Sequence, residues 1–231
     1  MKKSSKQRSN AISKDKKLYP VEKHYWKENK IVCGIDEAGR GCMAGPVVIA
    51  AAILKPNTKH KFLIDSKKLT DKQLIFMYNW LLDKCIFSVS IASPRLIDQY
   101  NIYQTTARHM RLALLHVLNN STRPNLIAVD AMPINLQNTP YHDIEIVSMT
   151  QGESKSTSIA AASIIAKVTR DKLMLRLETS FPGYDLNKHK GYCTSLHKKN
   201  TLSLKPSIIH RNSYLEWILL GNNNEQQSIF C

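Results

Sequence analysis

Cysteine is scarce and scattered in this sequence. The 231 residues include five cysteines, at positions 33, 42, 85, 193 and 231, and no Cys-x-x-Cys pair. An odd number of isolated cysteines argues against a disulfide framework and against a zinc ribbon. Reduced, separate thiols are typical of a cytosolic protein, so we expect a cytoplasmic location. Cys33, inside a predicted strand, is expected to be a small core residue and not a nucleophile.

Long hydrophobic runs are also missing. No apolar stretch approaches the roughly 18 to 20 residues that a membrane-spanning helix requires, and we expect no membrane partner. The first residues are basic but are not followed by the apolar segment of a secretory signal peptide. Residues 1–30 therefore predict a basic, disordered arm.

Acidic residues are few. Eighteen Asp and Glu face 33 Lys and Arg, which gives a formal net charge of +15. This excess favours a polyanionic partner such as a nucleic acid. We expect residues 182–231 to form a small, basic helical region that packs on the core and ends in a polar tail. Its histidines, at 189, 197 and 210, could be general acids or metal ligands, but phosphate contacts or plain surface positions fit them better.

Short apolar runs alternate with helical spacings between residues 31 and 181. Apolar runs predict strands, and N-cap residues followed by apolar residues at 3–4 spacing predict helices. The predicted strands are 31–36, 47–54, 85–92, 125–130 and 144–149, and the predicted helices follow Thr70, Ser93 and Ser156. A glycine-rich connection joins the first two strands and predicts that they are antiparallel neighbours. The whole order predicts an α/β domain with a mixed central sheet flanked by helices.

Four acidic residues stand at the ends of these elements. Asp36 and Glu37 end the first strand, Asp130 ends the fourth, and Glu153 comes just before the last long helix. If the two strands are neighbours, three carboxylates meet at one edge of the sheet and the helix start can bring the fourth. Packed carboxylates repel one another unless cations are bound. Mg²⁺ or Mn²⁺ prefers oxygen ligands, and two such ions can hydrolyse a phosphodiester.

Each of these acids also has a structural interpretation. Asp130 can be a simple turn residue at a strand end. Glu153 can be the acid that the dipole at a helix start favours. Only their occurrence together with the adjacent acids at 36 and 37 favours a metal site.

Seven segments between residues 34 and 211 contain specific motifs. They are Gly-Ile-Asp-Glu-Ala-Gly-Arg-Gly at 34–41, Gly-Pro-Val-Val at 45–48, Asp-Ser-Lys-Lys-Leu at 65–69, Val-Asp-Ala-Met at 129–132, Ser-Ile-Ala-Ala-Ala-Ser-Ile-Ile-Ala-Lys-Val-Thr-Arg-Asp at 158–171, Lys-Gly-Tyr-Cys-Thr at 190–194 and His-Arg at 210–211. Together they resemble the ribonuclease HII family. The resemblance implies a ribonuclease H-like fold, with its catalytic core over 31–181. It also implies cleavage of RNA in RNA–DNA hybrids, and cleavage 5′ of single ribonucleotides embedded in duplex DNA.

The resemblance implies roles for individual residues. Asp36, Glu37 and Asp130 match the metal-binding, catalytic carboxylates of the family. Glu153 is expected to be the fourth catalytic acid, but it stands where the family usually has aspartate. Because glutamate is one methylene longer, it can still reach a metal, but with a different geometry.

Further positions match parts of the family that contact nucleic acid. These positions are Gly39, Arg40, Gly41, Ser66, Lys67 and Tyr192. The Gly-Arg-Gly turn resembles the element that senses the ribonucleotide, since a close backbone can test for a 2′-hydroxyl. The Ser-Lys pair matches a phosphate-contacting loop, and the tyrosine matches one that stacks on the following sugar. The arginine of the turn also favours this family over the sister type, ribonuclease HIII, which usually has Gly-Thr-Gly and an extra N-terminal domain.

Two other functions stay open at this point. One is a basic duplex-binding protein whose acids are structural, and the other is a DNA-junction resolvase on the same fold. We expect a monomer that binds RNA–DNA hybrid and ribonucleotide-containing duplex DNA. A sliding clamp is a further candidate partner, because Ile229 and Phe230 follow glutamines near the C-terminus; a frayed polar tail explains the same residues.

Overall fold

The central feature of the fold is a mixed sheet of five strands. The computed structural model describes residues 20–63 and 65–219. The strands are β1 (Val32–Ala38), β2 (Val47–Leu54), β3 (Cys85–Ala92), β4 (Leu126–Asp130) and β5 (Glu145–Met149). Their order in the sheet is β3-β2-β1-β4-β5. β1, β2 and β3 pair antiparallel, whereas β4 is parallel to β1 and β5 is parallel to β4. The predicted mixed α/β fold and the antiparallel first pair are confirmed.

Helices cover both faces of this sheet. They are α1 (Pro20–Lys27), α2 (Asp71–Leu82), α3 (Pro94–Asn119), α4 (Thr157–Ser180), α5 (Leu186–His189), α6 (Ser195–Leu204) and α7 (Asn212–Leu219). Alternate residues of β2 point to opposite faces. Val47 and Ile49 join the core formed with α3, and Ala50 and Ala52 join the core formed with α2 and α4. None of the helices within the described ranges combines the length and apolar character needed to cross a bilayer.

The second helix begins where the sequence predicts. The Thr70 hydroxyl accepts from the backbone N–H of Gln73, and the Gln73 side chain accepts from the backbone N–H of Thr70. These bonds satisfy two donors that a helix start otherwise leaves free. The helix then buries Leu74, Met77 and Leu81 against the sheet.

The third helix differs from the single helix that the spacing predicts. Asn101 has φ 61° and ψ 166°, which lie outside the helical region. Its side-chain oxygen accepts from the backbone N–H of Gln104 at 2.9 Å. Asn101 therefore acts as an N-cap for a second helical segment, since asparagine tolerates a positive φ and caps well.

The fourth helix lies unusually close to β1. A Cβ atom on Gly34 would lie 2.1–2.4 Å from backbone atoms of Ser158 and Ile159. Only glycine fits there. The alanines at 160–162 are fully buried, as a close approach to the sheet requires. This packing places the first turns of α4 beside the strand that contains Asp36.

The thiol of Cys33 is buried in the core, as predicted. It is completely shielded from solvent, and burial raises its pKa to about 12. A thiol with such a pKa is not a nucleophile at neutral pH. The cysteines at 33, 42, 85 and 193 are all free.

The predicted disordered arm is wrong for its last part. Pro20–Lys27 form helix α1, and its Trp26 is 2% exposed. The Glu22 carboxylate is fully buried at the start of α4. It accepts from the hydroxyl of Ser156 at 2.6 Å and from the backbone N–H groups of Thr157 at 2.9 Å and Ser158 at 3.0 Å. A carboxylate at this position satisfies free donors and complements the helix dipole. Residues 1–19 lie outside the described residues.

The predicted helical region at the C-terminal end is present as α5, α6 and α7. It packs on the core through backbone bonds from Gly45 to Ile209 and from Arg211 to Met43. The boundary at residue 181 stays a prediction. Residues 220–231, which include the candidate clamp-binding residues Ile229 and Phe230, lie outside the described residues.

Glu22→Gln is expected to lower the free energy of unfolding by about 2 kcal/mol, the usual effect of losing hydrogen bonds to a charged group. The amide leaves only one acceptor oxygen for three donors. Urea unfolding would measure the change. Glu28→Gln is the matched control, because Glu28 is half exposed and forms a surface ion pair with Lys30. An equal effect of the two substitutions would show that Glu22 does not anchor α4.

Candidate active site

The register of β1 and β4 brings two aspartates to one edge of the sheet. The last paired residues of these parallel strands are Ile35 and Val129, so Asp36 and Asp130 follow side by side. Asp36 is 5% exposed, and Asp130 is partly buried at the end of β4. The two carboxylates are therefore held together by the backbone of the sheet, as the sequence predicts.

Glu37 adds a third carboxylate at the same edge. Its backbone N–H donates to Asp36 Oδ1 at 2.7 Å. Its Oε1 atom accepts from the guanidinium of Arg40 at 3.3 Å. Its Oε2 atom is buried and has no hydrogen-bond partner. One oxygen of Glu37 is thus neutralised by a cation of the protein, and the other is free for a ligand.

Glu153 reaches the site from the turn that follows β5. It lies in the 3-10 turn Gly152–Ser154 and is 8% exposed. The backbone N–H of Gly152 donates to Asp130 Oδ1 at 2.7 Å, which ties this turn to β4. Glu153 Oε1 lies 3.7 Å from Lys67 Nζ, and its Oε2 is buried without a partner. The structure therefore brings all four predicted acids together.

The electrostatics of this cluster disfavour negative charge. Burial and the charges of Glu37 and Asp130 raise the pKa of Asp36 well above its usual value. Burial also raises the pKa of Glu37, although Arg40 opposes the shift. Asp130 has a raised pKa because of burial and the nearby Glu153, and the bond from Gly152 opposes that rise. A bound cation would remove this cost, since an opposite charge favours the ionised carboxylates.

The donor set fits a hard divalent cation. It consists of carboxylate oxygens, and two of them, on Glu37 and Glu153, are buried without partners. Oxygen ligands of this kind suit Mg²⁺ or Mn²⁺. Yet nowhere in residues 20–63 and 65–219 is a group of three or more acidic, histidine or cysteine side chains placed so that it could hold a metal ion. The acids share one edge of the sheet but are not arranged as ligands, as expected for like charges that repel. Their roles as metal ligands stay a prediction.

Two buried arginines hold the Gly-Arg-Gly turn beside these acids. Arg211 donates to the carbonyl oxygens of Gly39 at 2.6 Å and Arg40 at 2.7 Å. A Cβ on Gly39, whose φ is +94°, would lie 2.0 Å from the side chain of Arg170. Arg170 in turn donates to the carbonyl of Pro46 at 2.9 Å. The predicted sensing turn is therefore rigid, because charged donors fix its carbonyl groups from behind.

Sequence reasoning assigned no role to Arg170 or Arg211. A signal existed for the first of them: Arg170 is spaced by four residues from Ala166 and Met174, which are both buried on α4. An arginine at a core position of a helix needs several acceptors. The sequence does not show which carbonyl groups supply them.

The predicted phosphate-contacting loop lies next to the acids. Ser66 and Lys67 belong to the 3-10 turn Ser66–Lys68. The hydroxyl groups of Ser66 and Ser163 are 2.9 Å apart, and a hydrogen bond from Ser163 partly offsets the raised pKa of Asp36. Partial burial lowers the pKa of Lys67, but the nearby acids, Glu153 first, produce a net rise. A charged lysine therefore stands at the edge of the carboxylate cluster.

Tyr192 presents its ring to solvent near the turn. The side chain is 43% exposed, and the charged groups of Lys167 and Arg170 each lie 5.7 Å from its ring centroid. Since Arg170 also contacts Gly39, the exposed ring and the Gly-Arg-Gly turn share one supporting side chain. This placement suits a ring that stacks on a sugar or base.

The three histidines do not lie at the surface, so this expectation is wrong. His189, His197 and His210 are at most 7% exposed. The rings of His189 and His197 stack with centroids 4.0 Å apart, and those of His197 and His210 are 5.3 Å apart. His197 Nδ1 donates to the carbonyl of Tyr192 at 2.9 Å. The histidines form a core beneath Tyr192.

The hydrogen bonds of this histidine core require neutral rings. The Nδ1 atoms of His189 and His210 accept from the backbone N–H groups of Gly191 and Ser207, so each needs a free lone pair. Burial lowers the pKa of all three histidines, and lowers that of His197 to about 4. The core is therefore uncharged at neutral pH.

Comparison with known proteins decides the family. The sequence model of the family described as Ribonuclease HII matches residues 33–217. The chain belongs to the ribonuclease HII family. Membership makes it a hydrolase of the ribonuclease H type, a nuclease that acts on RNA–DNA.

Solved structures agree with this family in their fold. Ribonuclease H2 from Pyrococcus horikoshii OT3 matches with a TM-score of 0.67 and 25% identity, over 82% of this chain and 97% of that chain. RNase HII of the PCNA:RNase HII complex from Archaeoglobus fulgidus matches with a TM-score of 0.63 and 23% identity, over 80% and 95%. Bst-RNase HIII in complex with Mn²⁺ matches with a TM-score of 0.60 and 18% identity, over 77% and 71%.

Acid is expected to destabilise the protein through His197. Its pKa in the folded state lies near 4, below the value of about 6.5 in an unfolded chain. The unfolded state therefore binds more protons between these values, and stability is lost as the pH falls from about 6.5 to about 4. His197→Asn keeps a donor for the Tyr192 carbonyl but cannot titrate. Urea unfolding at pH 7 and pH 5 would measure the free energy of unfolding. Between these two pH values it should fall less for this variant than for the wild type.

His116→Asn is the matched control, because His116 is exposed on α3. The free energy of unfolding of this variant should fall between pH 7 and pH 5 as much as that of the wild type. The raised pKa values of Asp36, Glu37 and Asp130 act in the opposite direction, but all the proteins share them, so they cancel in the comparison. Equal losses for the wild type and His197→Asn would contradict the neutral histidine core.

Proposed function

We propose that this chain is a metal-dependent endoribonuclease that cuts the RNA strand of RNA–DNA hybrids and cuts 5′ of single ribonucleotides embedded in duplex DNA. The observation on which the proposal rests is the meeting of four acids, two with unpartnered buried oxygens, beside a rigid Gly-Arg-Gly turn. The bound Mn²⁺ of the similar Bst-RNase HIII structure supports the use of a divalent metal.

Asp36, Glu37 and Asp130 are the residues that would hold Mg²⁺ or Mn²⁺, with Glu153 as the fourth acid. When bound, two such ions supply Lewis acidity and activate water for displacement at phosphorus. The protein contributes fixed ligand positions: Ser163 orients Asp36, and Gly152 orients Asp130. Hydrolysis breaks the bond between phosphorus and the 3′ oxygen, which leaves a 3′-hydroxyl and a 5′-phosphate.

Substrate recognition is assigned to the residues around these acids. Ser66 and Lys67 bind the phosphate backbone. The backbone of Gly39–Gly41 tests for the 2′-hydroxyl. The buried guanidinium of Arg211 holds this backbone in position. Tyr192 stacks on the sugar after the ribonucleotide and favours deoxyribose there. These assignments follow the family resemblance. They are supported by the ion pair of Lys67 with Glu153 and by the contacts of Arg170 with both Gly39 and the Tyr192 ring.

The two rival functions differ in what they require of these residues. A duplex-binding protein has no use for carboxylates whose pKa values are raised by their neighbours. A junction resolvase has no use for a 2′-hydroxyl sensor. We further propose that the enzyme is a cytoplasmic monomer. A sliding clamp is a candidate partner, because the similar Archaeoglobus fulgidus protein was solved with PCNA.

Asp36→Asn is expected to reduce cleavage by roughly a hundredfold or more, as loss of a central electrostatic group does. The same substitution should raise stability without divalent metal, because it removes one of the repelling charges. Mg²⁺ should raise the melting temperature of the wild type and have little effect on the variant. Cleavage of duplex DNA with one ribonucleotide and thermal melting would measure these changes.

Asp83→Asn is the control, because Asp83 is exposed at the end of α2, away from the acids. It should cut like the wild type and respond to Mg²⁺ like the wild type. All-DNA duplex is the substrate control and should stay intact. An Asp36→Asn protein that still cuts and is still stabilised by Mg²⁺ would contradict the proposed role of the acids.

Tyr192→Ala is expected to slow cleavage at a single embedded ribonucleotide about tenfold, the scale of one lost stacking contact. Cleavage of a continuous RNA–DNA hybrid should fall less, because the next sugar there is a ribose. Tyr192→Phe keeps the ring and should behave like the wild type. Steady-state rates on the two substrates would test this, and an equal loss on both would rule out a junction-specific role.

A further inference from the structure

A cleft of about 760 Å³ lies between α3 and the segment 133–138, outside the residues assigned above. Its walls include aromatic, amide and arginine side chains, among them Tyr100, Tyr103, Gln104, Arg108, Arg111 and Asn135. A cleft of this volume is in the range of ligand sites that hold a group the size of a nucleotide.

The residues of α3 that line the cleft are spaced like residues on the buried face of a helix, but most of them are polar or aromatic and partly exposed. Positions 103, 104, 107, 108 and 111 follow the 3–4 spacing that places residues on one side of a helix. Tyr103 is nevertheless 50% exposed, and Arg108 is exposed. An exposed aromatic ring beside an exposed cation is typical of a surface that binds a ligand.

The cleft is positively charged. None of its lining residues is acidic. The guanidinium of Arg108 lies 4.7 Å from the ring centroid of Tyr100. Arg111 donates to the backbone carbonyls of Asn135 and Gln137, which fixes the opposite wall. Among the described residues, neither arginine forms an ion pair with a carboxylate, so their charges stay available to an anion.

Both walls of the cleft belong to segments that start at the edge of the sheet where the acids lie. In β2, Val47 pairs with Ala92 and Val48 pairs with Ala38, so β3 ends at the same edge as β1. α3 starts two residues after β3 and therefore leaves from this edge. The other wall starts at Pro133, three residues after Asp130. The chain segments that form the cleft therefore connect it to the edge where the acids lie.

We propose that this cleft binds an unpaired segment of the nucleic acid that flanks the site of cleavage. Arg108 contacts a phosphate, and a base stacks on Tyr103. Bases inside a duplex are already stacked and cannot use an exposed tyrosine, whereas unpaired bases can. The proposal rests on the proposed nuclease function, and it adds a preference for substrates with a single-stranded extension.

Binding to all-DNA duplexes tests the cleft without relying on cleavage. Fluorescence anisotropy in Mg²⁺ would compare a blunt duplex with the same duplex carrying a short single-stranded extension at either end. The wild type should bind one of the extended duplexes about tenfold more tightly. Arg108→Ala and Tyr103→Ala should lose this gain, and Arg108→Ala should also lower the salt dependence of binding by about one unit of slope.

Two variants make the comparison specific. Lys84→Ala removes an equal charge next to the start of β3, at the opposite edge of the sheet. This variant should still bind the extended duplex more tightly than the blunt one. Tyr103→Phe keeps the ring and should also keep this preference. Melting temperatures would verify that each variant is folded.

The proposal is overturned if the wild type binds blunt and extended duplexes equally, if both alanine variants keep the gain, or if Lys84→Ala loses it as well. Cleavage of a blunt duplex with one ribonucleotide would be measured in parallel. Failure of the wild type to cut it contradicts the nuclease function proposed above, while the anisotropy data decide the cleft by themselves.

Discussion

Repulsion between buried carboxylates is the constraint on which this structure depends. The pairing of β1 with β4 leaves Asp36 and Asp130 next to each other, and no side-chain rotation can separate their backbones. Glu37 and Glu153 add charge to the same edge. Burial prevents water from relieving the repulsion, so the pKa values of the two aspartates and of Glu37 rise. A cation bound at this edge of the sheet would relieve the repulsion between the carboxylates, so the edge is suited to a cation-binding site.

Polar groups in the interior surround this edge and fix its parts. Glu22 anchors the start of α4, which lies against β1. Arg170 and Arg211 bind the carbonyl groups of the Gly-Arg-Gly turn and of its neighbours. The neutral histidine core supports the backbone of Tyr192. Glu22, Arg170 and Arg211 each have several hydrogen-bond partners, as buried polar groups require. They hold the acids, the turn and the exposed tyrosine in a common frame.

Much of this arrangement could be predicted from the sequence because it is local. Apolar runs gave the strands, the Thr70 capping box gave the start of α2, and acids at strand ends indicated the site. The features that were missed depend on distant partners. The segment 20–27 is rich in charge, and its contacts with distant parts of the chain, through Glu22 and Trp26 among others, are not visible in its local sequence. The acceptors of Arg211 lie about 170 residues away, and nothing in the local sequence indicates them.

The histidines and α3 show the same limit. The basic composition around the three histidines suggested an exposed surface, but stacking and backbone hydrogen bonds accompany buried, neutral rings. The spacing along α3 predicted one helix, because a single asparagine cap at Asn101 leaves the apolar period almost unchanged. Local patterns therefore located the elements and the acids, whereas long-range hydrogen bonds determine how precisely those acids and the turn are held.

The most direct test of the central claim is a crystal structure of the protein soaked in Mn²⁺, with anomalous diffraction data. The account predicts anomalous density at the edge of the sheet, bounded by carboxylate oxygens of Asp36 and Asp130, with Glu37 or Glu153 completing the ligands. Density only at other positions, with the four acids left without a metal at saturating Mn²⁺, would contradict it.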